Sequence, residues 1–235
     1  MIKVYSFWKM AAGITEAEFV YQYREVHLPM VYVAPFQRYV QSRRIAHPSF
    51  GLSSPFDGVS EIWWNSVDDI RATADNPAWQ VTVVAHRPVL TEPSATAAVV
   101  ASENVVLPGP ITAATDWVKV VFGVKREAGV SVEAFQRYWR EEHAIEVLRT
   151  MSKAPGLRRY VQGLVQPENY VVGGTPYQKN GKPVYDAIDE MWFRDTAAVV
   201  RIAESPQWRA QLEHARHHVA EIEAFAVDEH RVIWP

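Results

Sequence analysis

Residues Ile2–Trp8 are almost all β-prone, and the stretch after them changes to an apolar period near four. Thr15 and Glu18 have the T-x-x-E spacing of a capping box, which opens a helix. In that helix Phe19, Tyr23 and His27 recur at i, i+4 and i+8 and share one face. Arg38–Arg44 and Gly58–Trp64, rich in Val, Tyr and Trp, read as strands around a Pro/Ser/Gly loop. Ser66 begins a second helical stretch, interrupted at Asn76-Pro77, where Asn caps and Pro takes the first turn of a further helix. Ala97–Leu107 is the last strand of this series.

The series then occurs again. Segment 14–27 falls on segment 130–143, matching Phe19, Arg24, Glu25 and His27 to Phe135, Arg140, Glu141 and His143, and Tyr23 to Trp139. Arg38-Tyr39-Val40-Gln41 falls on Arg159-Tyr160-Val161-Gln162, and residues 56–64 fall on 185–193. Asn76-Pro77-Ala78-Trp79 meets Ser205-Pro206-Gln207-Trp208. The matches keep their order and the offset changes only where loops belong, so the chain is an internal repeat. The second copy predicts strands at 117–125, 158–166, Ala187–Phe193 and 225–234, with helical stretches at 131–152 and 196–218. The expected domains are 1–107 and 117–235.

Each copy reads β-α-β-β-α-β, the ferredoxin-like plan of a four-stranded sheet with two helices on one face. The other face must be covered. Runs such as residues 118–124 and 95–106 are apolar on both alternating faces, as in sheets buried on both sides. The expectation is an α+β protein in which tandem ferredoxin-like repeats close into an intramolecular dimeric α/β-barrel. The alternative is two units that each dimerise with another chain.

Composition narrows the function. A formal net charge of −3 without blocks of like charge gives nucleic acid no electrostatic hold. No apolar run is long enough to span a membrane, and the N-terminal residues enter a strand without a signal-peptide core. The chain has no Cys, which removes disulfides and thiolate chemistry. A cytoplasmic protein is expected.

The repeated helix stripe puts His27 and His143 at the inner end of an aromatic wall, where imidazole is the natural acid/base group. Each is equally readable as a core His satisfied by a carbonyl. Arg24 and Arg140 either lie on a solvated face or orient an acidic or carbonyl substrate. Asp57, Val59, Glu61 and Trp63 point one way, as do Asp186, Ile188, Glu190 and Trp192. Asp57 and Asp186 sit where a strand begins and either fix a turn or orient the imidazole. A buried carboxylate beside Trp needs pairing, and Arg38 and Arg159 on the neighbouring strand are the expected partners of Glu61 and Glu190. Tyr39 and Tyr160 either pack or hydrogen-bond a substrate oxygen. His214 and His218 lie at i, i+4, but copy one has no equivalent, no third ligand is evident, and the stretch reads as solvent-facing, so no metal is expected. Phosphate-loop, nucleophile-elbow and dinucleotide motifs are absent, so the expected cofactor is none.

These residues resemble a family. Tyr/Trp-Arg-Glu-x-His after a helical Phe, then Arg-Tyr-Val-Gln, then aromatic-Asp-Gly/Ala-x-x-Glu-x-Trp, then Glu103 and Glu229 on the last strands, are similar to the EthD domain of the dimeric α/β-barrel superfamily. The resemblance covers nearly the whole chain, twice. It implies a cavity between sheet and helices for a flat hydrophobic molecule, and a catalytic role for His27 and His143. Asp57, Asp186, Tyr39 or Tyr160 would orient the imidazole or hold the substrate, and Tyr23, Trp139, Trp63, Trp192, Arg24 and Arg140 would contact it. The implied activity is a cofactor-independent lyase or isomerase of aromatic, polyketide-like or lactone metabolites. A non-catalytic accessory protein and a cofactor-free monooxygenase are the alternatives. The copies depart from the pattern differently. Copy one has Tyr23 for the usual Trp, and copy two has Ala187 for Gly and a longer loop, residues 167–184, readable as a lid. Pairing of two fused barrels into a homodimer stays open.

Overall fold

Eight strands, β1 (Ile2–Trp8), β2 (Arg38–Arg44), β3 (Gly58–Trp64), β4 (Ala97–Leu107), β5 (Val118–Arg126), β6 (Leu157–Val165), β7 (Ala187–Phe193) and β8 (Val219–Ile233), form one ring in the computed structural model. It describes residues 1–45, 53–112, 114–151, 156–166 and 183–234, so the expected lid loop lies outside the described residues over 167–182. The order β1-β3-β2-β8-β5-β7-β6-β4 is closed, and every neighbouring pair is antiparallel. Each repeat supplies four consecutive strands, β2-β3-β1-β4 and β6-β7-β5-β8. The seams β2–β8 and β4–β6 join the repeats to each other. The barrel is therefore intramolecular, and no barrel strand offers a free edge to a second copy.

The helices lie outside the ring. In repeat one they are α1 (Glu16–Tyr21), α2 (Leu28–Val31), α3 (Val67–Ala74), α4 (Pro77–Trp79) and α5 (Ala85–Leu90). In repeat two they are α6 (Val132–Tyr138), α7 (Ala144–Met151), α8 (Thr196–Ala203) and α9 (Pro206–Ala215). None is long and apolar enough to cross a membrane. Thr15 caps α1 by accepting from the Glu18 amide, but the Glu18 carboxylate accepts from Gln22, so the reciprocal half of that box is not made. The complete box is at Ser66 and Asp69. Asn76 caps α4 with Pro77 in its first turn.

Gln22–His27 and Trp139–His143 are π-helical and link α1 to α2 and α6 to α7 without a break. In an α-helix residues four apart drift by about 40° per step. The wider i→i+5 winding offsets that drift, so Phe19, Tyr23 and His27 stay on one buried face, as do Phe135, Trp139 and His143.

The last strand begins at Val219, well before the expected 225, because Glu221 and Glu223 are matched across β5–β8 to Lys125. Nor is the His-rich stretch before it simply solvent-facing. His218 lies flat on Tyr138, with ring centroids 3.6 Å apart.

The barrel interior is apolar at one end, where Tyr5, Phe7, Val59, Val99, Ile188 and Phe225 pack together. At the other end it holds charge. Lys3 Nζ lies 2.5 Å from Glu190 and 3.5 Å from Glu103, and Lys119 Nζ lies 3.1 Å from Glu190 and 2.9 Å from Glu229 and also bonds Glu61. Arg231 closes on Glu229 at 2.6 Å. The expected pairing of Glu61 and Glu190 with Arg38 and Arg159 is therefore wrong. The lysines, at matching positions of the two first strands, reach across the barrel, while Arg38 and Arg159 lie over Trp234 and Trp192. Burial together with Glu190 and Glu229 pushes Glu61 up to about 7 against the pull of Lys119 and Lys3. Burial also opposes charge on Glu190, but Lys3, Lys119 and the Tyr5 hydroxyl hold it down near 2. Val121 stands in the second repeat where Tyr5 stands in the first, so Glu61 has no matching donor.

Candidate active site

Residues that point out of the barrel meet the helices, and there the two repeats differ. In repeat one a cavity of about 380 Å³ opens between sheet and helices, walled by Val4, Ile62, Trp64, Trp79 and Val83. In repeat two the matching space is about 30 Å³, room for a single water. The cause lies in two paired strand positions. Ser6 faces Ser60 across β1–β3, and the equivalent pair across β5–β7 is Phe122 and Asp189. Trp139 in place of Tyr23 takes up more of the room.

The polar groups around the large cavity include His27, Tyr39, Ser60, Thr73, Asp75 and Arg87. Gln41 donates to the Tyr23 carbonyl at 3.0 Å and to the Tyr39 hydroxyl at 3.2 Å, which leaves the Tyr39 proton available to an acceptor. Tyr23 and Ser60 are hydrogen-bonded to each other. Burial pushes both tyrosines above their usual value, so they are neutral donors. Arg87 on α5 is lowered to about 10 by burial and still carries its charge at neutrality. Trp64 Nε1 and Thr73 Oγ1 are buried without a hydrogen-bond partner.

His27 Nδ1 lies 3.3 Å from His86 Nδ1. Burial, then His86, then Arg87 lower His27 to about 3, so the imidazole is neutral at physiological pH. In repeat two Ala215 occupies the place of His86, and His143 Nδ1 is buried without a partner, its ring stacked on Trp139 at 3.8 Å. Asp189 accepts from Trp139 Nε1 at 2.9 Å and from the Tyr160 hydroxyl at 2.6 Å. Tyr160 thus spends on Asp189 the proton that Tyr39 keeps. Burial pushes Asp189 up to about 7 despite those two bonds.

The other anticipated residues fall elsewhere. Asp57 accepts from the Met10 amide at 2.9 Å, and Asp186 from the Arg126 amide at 3.0 Å and Arg126 Nε at 3.1 Å. Both fix the start of a strand and line neither cavity. Trp63 and Trp192 face the barrel interior, on the opposite side of the sheet from the cavities, and donate to Glu103 and Glu229. Arg24 approaches Asp228 at 3.6 Å and Arg140 binds Glu141, both outside the cavities. His86, Arg87 and Ser60 do not stand out in the sequence, because the repeat marks only the residues its copies share. The signal lay in the residues they do not share: His86 against Ala215, Ser60 against Asp189. Among the described residues no three His, Asp or Glu side chains converge as a metal-binding group.

Residues 11–94 and 127–221 match the EthD domain. No curated protein matches the chain. Among solved structures, an anthrone oxidase-like protein superposes with a TM-score of 0.69 at 11% identity, covering 98% of this chain and 92% of its own. A candidate monooxygenase of Fusobacterium nucleatum subsp. nucleatum superposes with a TM-score of 0.58 at 9% identity, covering 100% and 95%. Another from Lactobacillus acidophilus NCFM gives 0.52 at 11% identity, covering 100% and 99%. At such identities the likeness is one of fold.

Proposed function

The chain belongs to the EthD family twice over, and from that premise we propose that its first repeat is a cofactor-independent proton-transfer enzyme of the lyase or isomerase class. The substrate class is a flat aromatic, polyketide-like or lactone metabolite. The observation that carries this reading is a cavity of about 380 Å³ with apolar walls and a neutral imidazole, His27, on its lining. Such a volume suits a small ligand held mainly by apolar contact. His27 removes a proton next to a carbonyl or phenol. The Tyr39 hydroxyl and the Arg87 guanidinium stabilise the oxygen on which charge develops, and the apolar walls hold the ring beside them. The second repeat, with its cavity filled, serves as the other half of the barrel.

The test is conversion of phenolic ketones, quinols and lactones by the purified protein, followed by mass spectrometry. His27→Ala should slow turnover roughly 10²–10⁴-fold, the usual worth of a positioned base, and His143→Ala should leave it near wild type. Full activity in His27→Ala ends this mechanism. Binding without conversion moves the protein to an accessory role.

The folds resembled, a candidate monooxygenase and an anthrone oxidase-like protein, favour one second reading: the same carbanion meets dioxygen. Its oxidation of a CH2 to a carbonyl would release water and consume one O2. Oxygen uptake under air, against conversion without oxygen, separates the two.

A further inference from the structure

We propose that His27 and His86 form a two-histidine proton relay that carries protons between the first-repeat cavity and the surface of α5. This deepens the function proposed above and rests on it. The geometry is that of one N–H···N bond. The Nδ1 atoms are 3.3 Å apart, the ring planes differ by 20°, and centroids 5.5 Å apart are what two imidazoles joined end to end require. One Nδ1 must carry the hydrogen and the other must accept it. Moving that hydrogen to His86 reverses both tautomers when Nε2 of His27 gains a proton and Nε2 of His86 loses one.

His27 lines the cavity and is buried, whereas His86 is partly exposed. With the shared hydrogen on His27, Nε2 of His27 is a bare lone pair and the pair is ready as a base. When Nε2 takes a substrate proton, the Nδ1 hydrogen passes to His86, and His86 releases its own Nε2 hydrogen to water. His27 is left with its hydrogen on Nε2, ready to protonate the product carbon. The sum is one proton removed from one carbon and one returned at another, with solvent as the reservoir. The imidazolium is thus carried by the ring that water reaches, while the buried ring, which also faces the Arg87 charge and the neutral hydroxyls of Tyr23 and Tyr39, stays uncharged. In repeat two Ala215 replaces His86, and although the His214 ring lies 6.2 Å from that of His143, His143 Nδ1 has no hydrogen-bond partner.

The experiment uses protein labelled with 15N in its histidine rings. Long-range 1H–15N spectra of wild type should show one donor and one acceptor Nδ1 in this pair, and His86→Ala should abolish the coupling and shift His27. No coupling in wild type overturns the relay whether or not a substrate is known. In turnover, His86→Gln keeps a hydrogen-bonding side chain but cannot carry a proton, so its kcat should fall 10-fold or more and be restored by added imidazole in His86→Ala. If Gln restores the rate fully and imidazole does nothing, His86 only positions His27 and the relay is wrong. Spectra that show the pair in a protein that converts nothing would instead count against the enzymatic reading.

Discussion

Ser6 and Ser60 face each other across β1–β3, and this pair of small side chains is what separates an open site from a packed core. The matching pair, Phe122 and Asp189, fills the same space in the second repeat. Ser6→Phe should close the first cavity. In wild type a ligand at about 100 times its Kd adds about 2.7 kcal/mol to stability. The variant should melt as high as wild type without ligand and show no ligand-dependent rise in Tm. A rise equal to wild type would put the binding site elsewhere.

Gly58 pairs with Trp8, and Ala187 with Val124, at the same point of the two sheets. A Cβ on Gly58 would run into the Trp8 ring and the Ser42 carbonyl. The second repeat accepts Ala because Val124 is small. Gly58→Ala should cost about 1–3 kcal/mol by overpacking. Combined with Trp8→Val, it should cost less than the sum of the two single changes, though not nothing, because the Ser42 carbonyl must also give. Urea titrations of the four proteins measure the coupling.

Lys119 serves three carboxylates, Glu61, Glu190 and Glu229, inside the barrel. Lys119→Met keeps the volume and strands the negative charge, so it should destabilise by about 3–5 kcal/mol, a fall in Tm on the order of 10 °C for a chain of this size. Glu61→Gln should cost much less at pH 7, because burial and the neighbouring carboxylates already favour the protonated form of Glu61. Calorimetry of both variants decides.

The two buried imidazoles set a pH dependence. Burial lowers His27 and His143 to about 3, against an ordinary value of 6.5. Between these values the unfolded chain binds protons that the folded chain does not. Each His therefore contributes stability that is present above 6.5 and is lost as pH falls toward 3, by up to about 1.4 kcal/mol per pH unit. Asp189, raised from 3.8 to about 7, acts with the opposite sign, losing stability as pH rises from the lower value to the higher. His143→Gln should flatten the acid side of the stability curve, and Asp189→Asn should steepen it. Unfolding followed from pH 4 to pH 8 would show both.

The fold was readable because its determinants are local and occur twice. Strand runs, caps at Thr15 and Ser66 and the His27 stripe all survive in both copies. The faces of β3 were also read correctly, with Glu61 and Trp63 together on one side. What lay beyond reach was which distant strand each face meets. Pairing Glu61 with Arg38 followed from adjacency in the sheet, whereas closure of the ring brings Lys119 from the other repeat. Lys3 and Lys119, cations at matching positions inside two apolar runs, carried the sign of it. Asp57 resembled an imidazole partner in sequence, but a carboxylate at a strand start is claimed first by the nearest free amide, here Met10.

Because the seams β2–β8 and β4–β6 lie within one polypeptide, barrel assembly is a unimolecular event. The melting temperature should not move on dilution, as it would for two separate subunits. The join also frees each half from its twin. In a symmetric dimer any replacement is made in both sites at once, but here Phe122 could arise in one half while Ser6 persisted in the other, so a single chain can keep one chamber open and use its counterpart as a solid buttress.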